Sequence, residues 1–348
     1  MNNANDSLSR AGDDAFPPWE VIDFTFSCRN TDSQLVIMCN DVRFVLQLSR
    51  SNFDASPQLL QRYLFFLRVA EDVELDGNTV DDLYDWAAEP LFPIFHGMKS
   101  SPNPCKRSVQ DFLTPETHHY KICGIHEKLV AKPMTLGRNS GSTYGTPLRE
   151  EYYEQWPGYL PSEVWIDQET RDRVPTHVPR RVLLPDGTKA FLKMMHLGDN
   201  WSLRQEVTKY QAIRNASVDA LLRISRLLGL VKDGNGLVYG LLLTDVDCGG
   251  TTLSCAVRPE TPGTLKDRWI GQIRDTLCQL HSAGISWGDA KPANVLVDRN
   301  MDTWLVDFGG GHTEGWVPKE LADTIEGDLV GLRKMEQFVK GPESMPVQ

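Results

Sequence analysis

Two short apolar runs near the C-terminal end of the chain restrict its fold more than any other feature. NVLVD covers residues 294–298 and TWLVD covers residues 303–307, and the polar residues RNMD separate them. Short β-rich runs on both sides of a polar turn predict a β-hairpin. In an antiparallel hairpin, the start of the first strand and the end of the second lie at the same end. The pattern therefore predicts that Asn294 and Asp307 lie close together.

Four polar side chains gather at that end of the predicted hairpin. Asp289 and Lys291 lie in the loop before the first strand, so two carboxylates, an amide and an ammonium converge there. Carboxylate and amide oxygens are hard ligands that suit Mg²⁺ carrying phosphates. The glycines at 309–311 give the backbone after Asp307 the freedom to turn tightly. This end of the hairpin is therefore a candidate metal–phosphate site.

The chain from about residue 160 onward alternates between strand pairs and helices. A strand-rich part precedes a helical part, and the two are joined near residues 245–250. The first helix is expected to begin with a capping box formed by Ser202 and Gln205. The predicted strand pairs cover 180–195 and 229–246, and the predicted helices cover 202–213, 264–285 and 328–339.

Residues 15–150 predict a separate mixed α/β region whose role the sequence does not reveal. Two β-rich runs turn at residues 40–41, which is typical of a hairpin. A helix is expected over 56–73 from its apolar spacing. A second helix is expected to start with Thr79 as its cap and to be interrupted by its two prolines. The Gly-, Ser- and Thr-rich stretch 135–148 is expected to be a linker or loop.

Composition and charge narrow the expected partners and location. The chain has 348 residues and a net charge of −11, which argues against a protein that coats nucleic acid or anionic membranes. Seven cysteines without a C-x-x-C pair indicate reduced thiols. No signal sequence or 18-residue apolar run is visible, so we expect a cytoplasmic or nuclear protein that is not secreted. Residues 1–14 are expected to be a disordered tail, and 341–348 a second tail.

The segment 286–311 resembles the catalytic core of the protein-kinase superfamily. WGDAKPAN is similar to the family's catalytic loop H-R-D-x-K-x-x-N, and VDFGGG is similar to its D-F-G motif. The resemblance implies that Asp289 orients the acceptor hydroxyl and takes its proton. It also implies that Lys291 neutralises the transferred phosphoryl group, and that Asn294 and Asp307 hold Mg²⁺.

The upstream half carries a second part of the resemblance. KAFLKMM resembles the strand that bears the family's phosphate-binding lysine, which implies that Lys193 contacts the α- and β-phosphates of ATP. Glu206, on the next helix, is then its ion-pair partner. LLLTDVDCGGTTL resembles the segment whose backbone binds adenine. This assigns Asp245, Val246 and Asp247 to nucleotide binding.

The resemblance also implies a fold and a reaction. EGD at 326–328 resembles the start of the family's central helix, so Asp328 is expected to brace the catalytic loop. The implied fold is α+β: a bilobal protein-kinase-like domain over 155–340, with a small β-rich lobe and a minimal helical lobe, after the N-terminal mixed region. The motifs WGDAKP, DFGGG, EGW and EGDL are also similar to those of fungal kinase-like proteins. The implied reaction moves the γ-phosphate of Mg-ATP to a hydroxyl-bearing protein or small molecule, in the manner of a serine/threonine kinase.

Four features depart from the pattern of that family. No glycine occurs over 159–186, so the Gly-rich phosphate lid is absent. Phe191 stands where the family has a small alanine, and it would crowd adenine. Trp287 and Gly288 replace the histidine and arginine before the catalytic aspartate, so a phosphate switch is not expected there. Only twenty residues separate the D-F-G aspartate from Asp328, without an A-P-E motif.

These departures leave three functions open. The first is an active phosphotransferase that uses ATP and Mg²⁺. The second is a pseudokinase-like protein that binds nucleotide or acts as a scaffold. The third is a small-molecule kinase or a nucleotidyl transferase on a kinase fold.

Overall fold

A computed structural model describes residues 17–27, 29–72, 74–98, 106–135, 143–167, 178–216, 218–219 and 221–341. The expected tail at 1–14 lies outside the described residues, as does the expected tail at 341–348 apart from residue 341. The middle of the expected linker, 136–142, also lies outside them. The chain divides into two compact units. The first unit comprises 1–105, 114–141 and 176–178, and the second comprises 106–113, 142–175 and 179–348. The bounds expected from the sequence, 15–150 for the mixed region and 155–340 for the kinase-like domain, stay a prediction.

A five-stranded sheet forms the centre of the first unit. The strands described in this unit are β1 (Trp19–Phe26), β2 (Ser33–Cys39), β3 (Val42–Leu48), β4 (Glu74–Leu75), β5 (Asn78–Thr79), β6 (Thr117–Ile125) and β7 (Lys128–Pro133). The order in the sheet is β1-β2-β3-β6-β7, and β4 pairs with β5 separately. All pairs in the sheet are antiparallel except β3 with β6. β2 and β3 turn at Asn40 and Asp41, which both have positive φ angles, and this confirms the predicted hairpin.

The α-helices described in this unit are α1 (Pro57–Asp72), α2 (Val80–Ala88) and α3 (Phe92–Gly97). Thr79 is the N-cap of α2, as predicted, and its backbone N–H donates to the carboxylate of Asp82 over 2.8 Å in a capping box. α2 ends at Ala88 before the two prolines, as expected. Apolar side chains of the helices and of the sheet form one core. The first unit therefore has a hydrophobic core of its own.

The second unit contains a larger sheet and a separate hairpin. The strands described in this unit are β8 (Thr146–Pro147), β9 (Gly158–Tyr159), β10 (Trp165–Ile166), β11 (Arg181–Leu183), β12 (Lys189–Met194), β13 (Leu227–Lys232), β14 (Leu237–Thr244), β15 (Val295–Val297) and β16 (Thr303–Leu305). The sheet has the order β10-β11-β12-β14-β13-β9, with β8 beside β14. β15 and β16 form the hairpin that the sequence predicts.

The helices described in the second unit are α4 (Val109–Leu113), α5 (Asn200–Asn215), α6 (Leu253–Ala256), α7 (Gly263–Ser282) and α8 (Ile325–Lys340). The predicted capping box at the start of α5 is wrong. The carbonyl of Asp199 already accepts a hydrogen bond from the N–H of Leu203 over 3.0 Å, so the helix begins before Ser202.

Strands and helices of the second unit share one core. Its largest fully buried side chains include Tyr210, Trp269, Trp287 and Phe308. A strand-rich part precedes a helical part, and this mixed α/β architecture is compatible with the expected kinase-like fold. Among the described residues, none of the helices has the length and apolar character needed to cross a bilayer.

Candidate functional site

The hairpin of β15 and β16 brings its polar ends together. Val295 pairs with Leu305, and the N–H of Val306 donates to the carbonyl of Asn294 over 3.0 Å. Asn294 and Asp307 therefore lie at the same end of the hairpin, as the sequence predicts. Asp307 has a φ of 62°, a left-handed conformation that is uncommon outside glycine. The backbone therefore leaves the extended conformation of β16 at this aspartate.

Lys193 lies between two carboxylates that come from distant parts of the second unit. Its Nζ atom is 2.8 Å from Oε2 of Glu206 on α5 and 2.7 Å from Oδ1 of Asp307. Glu206 is fully buried, which is rare for a glutamate without a charged partner. The expected pair of Lys193 and Glu206 is confirmed. The pair also joins β12 and α5 to the end of the hairpin.

The charges of this triad influence each other strongly. Burial lowers the pKa of Lys193, but the two carboxylates outweigh it and raise the pKa to about 12. Burial raises the pKa of Glu206 above its ordinary value, against the opposing pull of Lys193. Burial also acts to raise the pKa of Asp307, but Lys193 outweighs it and leaves this pKa below its ordinary value. Lys193 and Asp307 are therefore both charged at neutral pH.

A second cluster surrounds Asp289, which is buried in the loop before β15. Lys291 places its Nζ 2.6 Å from Oδ2 of Asp289. Nδ2 of Asn294 donates to the carbonyl of Asp289 over 3.0 Å. The hydroxyl of Thr313 donates to Oδ1 of Asp289 over 3.0 Å and accepts from Lys291 over 2.7 Å. The structure therefore unites the three predicted residues and adds Thr313, which the sequence did not single out.

The oxygens of Asn294 and Asp307 fit a hard divalent cation. Since Nδ2 of Asn294 faces Asp289, its Oδ1 is the atom left to act as a ligand. One amide and one carboxylate oxygen, completed by phosphate oxygens, are a donor set that suits Mg²⁺. Within the described parts of the chain, no group of three or more His, Cys, Asp or Glu side chains could hold a metal by itself. A cation here would therefore depend on a phosphate ligand.

Asp328, near the start of α8, holds the loop before Asp289. Its Oδ2 accepts from the N–H of Trp287 over 2.6 Å, and its Oδ1 accepts from the N–H of Gly288 over 2.8 Å. Nε2 of His281, at the end of α7, lies 2.9 Å from Oδ2 of Asp328. The carboxylate is almost wholly buried. The expected bracing contact is therefore confirmed.

The connecting segment 245–250 is held by two ion pairs. Asp245 accepts from Nε of Arg181 over 3.0 Å, and both side chains are largely buried. Oδ2 of Asp247 lies 3.0 Å from Nε of Arg299, which is in the turn between β15 and β16. Val246 is buried between these two aspartates. The predicted role of Asp245, Val246 and Asp247 in nucleotide binding stays a prediction.

Sequence reasoning missed one further pair beside the loop. Nζ of Lys209 on α5 lies 3.2 Å from Oδ1 of Asp323, 3.1 Å from the hydroxyl of Ser286 and 3.2 Å from the carbonyl of Trp287. The helix that carries Glu206 is thereby tied to the loop that carries Asp289. A lysine three residues after Glu206 gave no signal for this contact, because Asp323 lies more than one hundred residues away.

Comparison with known proteins supports a protein-kinase-like relationship over part of the chain. Receptor-interacting serine/threonine-protein kinase 1 of Homo sapiens is 27% identical over 118 residues, 34% of this chain and 16% of that protein. Wall-associated receptor kinase 4 of Arabidopsis thaliana is 22% identical over 225 residues, 54% of this chain and 29% of that protein. Serine/threonine-protein kinase PKH1 of Saccharomyces cerevisiae is 41% identical over 59 residues, 17% of this chain and 7% of that protein.

These similarities are local. The chain spans less than a third of the length of each of these relatives. No protein-family model matches the chain. The relationship thus makes kinase-like chemistry a hypothesis, and the geometry of the site is the stronger evidence for a function.

Proposed function

We propose that the second unit is a phosphotransferase that moves the terminal phosphoryl group of a Mg²⁺-bound nucleoside triphosphate to a hydroxyl acceptor. The observation that carries this proposal is the position of Lys193, whose ammonium is fixed between Glu206 and Asp307. The ammonium therefore lies against the end of the hairpin that follows the loop with Asp289. This arrangement supports donor-phosphate binding and acceptor activation at one site.

The residues of the site can divide the reaction between them. The acceptor oxygen forms a bond to the terminal phosphorus, the bond from that phosphorus to the bridging oxygen breaks, and Asp289 takes the acceptor's proton. Lys291 lies 2.6 Å from Asp289 and is close enough to neutralise the phosphoryl group in transit. Mg²⁺ held by Asn294 and Asp307 would supply further neutralisation of phosphate charge. Lys193 is the contact for the remaining phosphates.

A second candidate function is a pseudokinase-like protein that binds nucleotide or acts as a scaffold, without turnover. Phe191 favours it, because its side chain is on the same strand face as Lys193 and remains 37% exposed there. The absence of glycine over 159–186 also favours it, because a Gly-rich lid cannot form there. Both features concern how a nucleotide would be bound. The groups that would act on the phosphoryl group, Asp289 and Lys291, are present.

Binding and turnover can be separated by two substitutions in the full chain. Thermal unfolding with and without Mg-ATP reports binding, because a ligand of the folded state raises the midpoint. Release of ADP reports turnover, with water or an added hydroxyl compound as acceptor. We expect Lys193→Met to lose both, and Asp289→Asn to keep the thermal shift but lose ADP release. Lys189→Met is the matched control, since Lys189 is on the same strand and pairs with Asp167.

The outcomes distinguish the candidate functions. Absence of a thermal shift with Mg-ATP in the wild-type chain would refute nucleotide binding. A shift without ADP release in the wild type would leave the scaffold function. Intact-mass spectrometry of an acceptor distinguishes an added phosphoryl group from an added nucleotide, and so tests nucleotidyl transfer.

A further inference from the structure

Phe191 lies on the same face of β12 as Lys193 and is nearer than Lys193 to the connecting segment 245–250. Alternate residues of a strand point to the same face, and two residues along a strand span about 6.6 Å. The antiparallel register places Ala190 opposite Thr244, the last residue of β14. The face therefore runs from Lys193 past Phe191 toward the connecting segment. A nucleoside that spans these two points must cover Phe191.

The strip around Phe191 is built from large side chains. Arg181 on β11 and Leu243 on β14 stand directly opposite Phe191 in the sheet, so all three share one face. The guanidinium of Arg181 is fixed by its 3.0 Å contact with Asp245. A ring, an isobutyl group and an ion pair thus occupy the part of the sheet on which a base would lie.

Two backbone carbonyls of the connecting segment accept hydrogen bonds from within the protein. The carbonyl of Val246 accepts from the N–H of Cys248 over 2.8 Å. The carbonyl of Asp247 accepts from the N–H of Arg299 over 3.2 Å, beside the ion pair of the same two residues. These two carbonyls are therefore already used within the protein. Fewer groups remain to read the edge of a base, and a site with less such readout discriminates less between similar ligands.

We propose that the site selects its phosphoryl donor by the triphosphate and not by the base. This inference rests on the proposed function, since the same site is concerned. ATP and GTP then serve as comparable donors, and inorganic triphosphate also binds. With inorganic triphosphate, the terminal phosphorus bonds to the acceptor oxygen, the leaving group is pyrophosphate, and the proton goes to Asp289 as before. The donor class is the triphosphate–Mg²⁺ unit.

Calorimetric titration of the full chain with the Mg²⁺ complexes of ATP, GTP and inorganic triphosphate tests this proposal directly. We expect the dissociation constants of ATP and GTP to agree within about threefold, and that of triphosphate to lie within about tenfold, or ~1.4 kcal/mol, of ATP. ATP binding that is tighter than GTP and triphosphate binding by more than about thirtyfold, ~2 kcal/mol, would overturn the inference and leave the proposed function intact. Failure of all three to bind would refute the proposed function itself, and the inference with it.

Phe191→Ala tests whether the ring of Phe191 keeps a base away from the sheet. Removing the ring opens space for a base against the sheet, so the affinity for ATP relative to triphosphate is expected to rise by at least about threefold. Phe338→Ala on α8 is the matched control, because Phe338 is a phenylalanine of nearly equal exposure, 38% against 37%. An unchanged ratio in a folded Phe191→Ala protein would overturn the proposal. If that variant does not fold, the wild-type titrations decide by themselves.

Discussion

Asp328 offers a sharp test of how the loop before Asp289 is held. Its carboxylate accepts hydrogen bonds from two consecutive backbone N–H groups, at 2.6 Å from Trp287 and 2.8 Å from Gly288. The side chain of Asp328 is 1% exposed, and both donors belong to buried residues. In Asp328→Ala, both donors lose their acceptor in a place that water does not reach freely. The perturbation therefore removes three hydrogen bonds, including that of His281, and leaves the two backbone N–H groups unsatisfied.

The magnitude follows from these two groups. An unsatisfied buried N–H costs about 1–3 kcal/mol, so Asp328→Ala is expected to lower the free energy of unfolding by about 2–6 kcal/mol. A domain is stable by about 5–15 kcal/mol in total, so the loss is a large fraction. Asp328→Asn keeps one acceptor oxygen and turns an NH₂ group toward the other donor. Its loss is expected to be about half as large, ~1–3 kcal/mol.

Urea denaturation, followed by fluorescence of the buried tryptophans, measures these differences. Glu326→Ala is the matched control, because Glu326 is an exposed acidic residue in the same first turn of α8. That control removes only a helix-dipole interaction, about 0.3–1 kcal/mol. If Asp328→Ala costs no more than Glu326→Ala, the two N–H groups do not depend on the carboxylate. The reasoning about bracing would then be wrong.

Three further predictions concern the contacts around this loop. Lys209→Met and Asp323→Asn are each expected to lower ADP release. A double-mutant cycle of unfolding free energies should give a coupling of about 0.5–1 kcal/mol between the two residues. Additive losses would contradict the ion pair at 3.2 Å. Thr313→Val is expected to reduce turnover while Mg-ATP still raises the unfolding midpoint, whereas Thr313→Ser should retain turnover because it keeps the shared hydroxyl. Burial acts to raise the pKa of Asp307, but Lys193 outweighs it and keeps this pKa below its ordinary value. The ionised carboxylate therefore stabilises the folded state above about pH 4, and this stabilisation is lost as the pH falls through the lowered pKa. Unfolding curves of wild type and Asp307→Asn should therefore converge below about pH 4 and stay apart at neutral pH.

Local patterns predicted the parts of the site that lie on regular elements. The hairpin placed Asn294 and Asp307 at one end because the strand period and the turn length leave one arrangement. The pairing of Lys193 with Glu206 followed from the resemblance, and both residues lie on regular elements, β12 and α5. Thr313 could not be predicted in this way, since its contact depends on how an irregular loop returns to Asp289. Loops have no period from which the direction of a side chain can be read.

The start of α5 shows the same limit at a smaller scale. Ser202 and Gln205 satisfy the pattern of a capping box, yet Asp199 supplies the first helical carbonyl. The preceding turn decides which residue is the cap, and its path depends on contacts that the local pattern does not contain. The roles assigned to Asp289, Lys291 and the residues 245–247 likewise stay predictions, because contacts alone do not demonstrate a reaction.

The departure at Gly288 from the kinase pattern has a physical explanation. Gly288 has a φ of 107°, and a Cβ at this position would lie 2.5 Å from Oδ1 of Asp323 and 2.8 Å from Nζ of Lys209. The ion pair thus fills the space in which a side chain at residue 288 would begin. An arginine there would displace both ends of this pair and would adopt an unfavourable positive φ. The pair ties the loop to α5 without any added phosphate. The glycine and the ion pair are therefore two aspects of one arrangement, in which the chain's own charges hold the loop before Asp289.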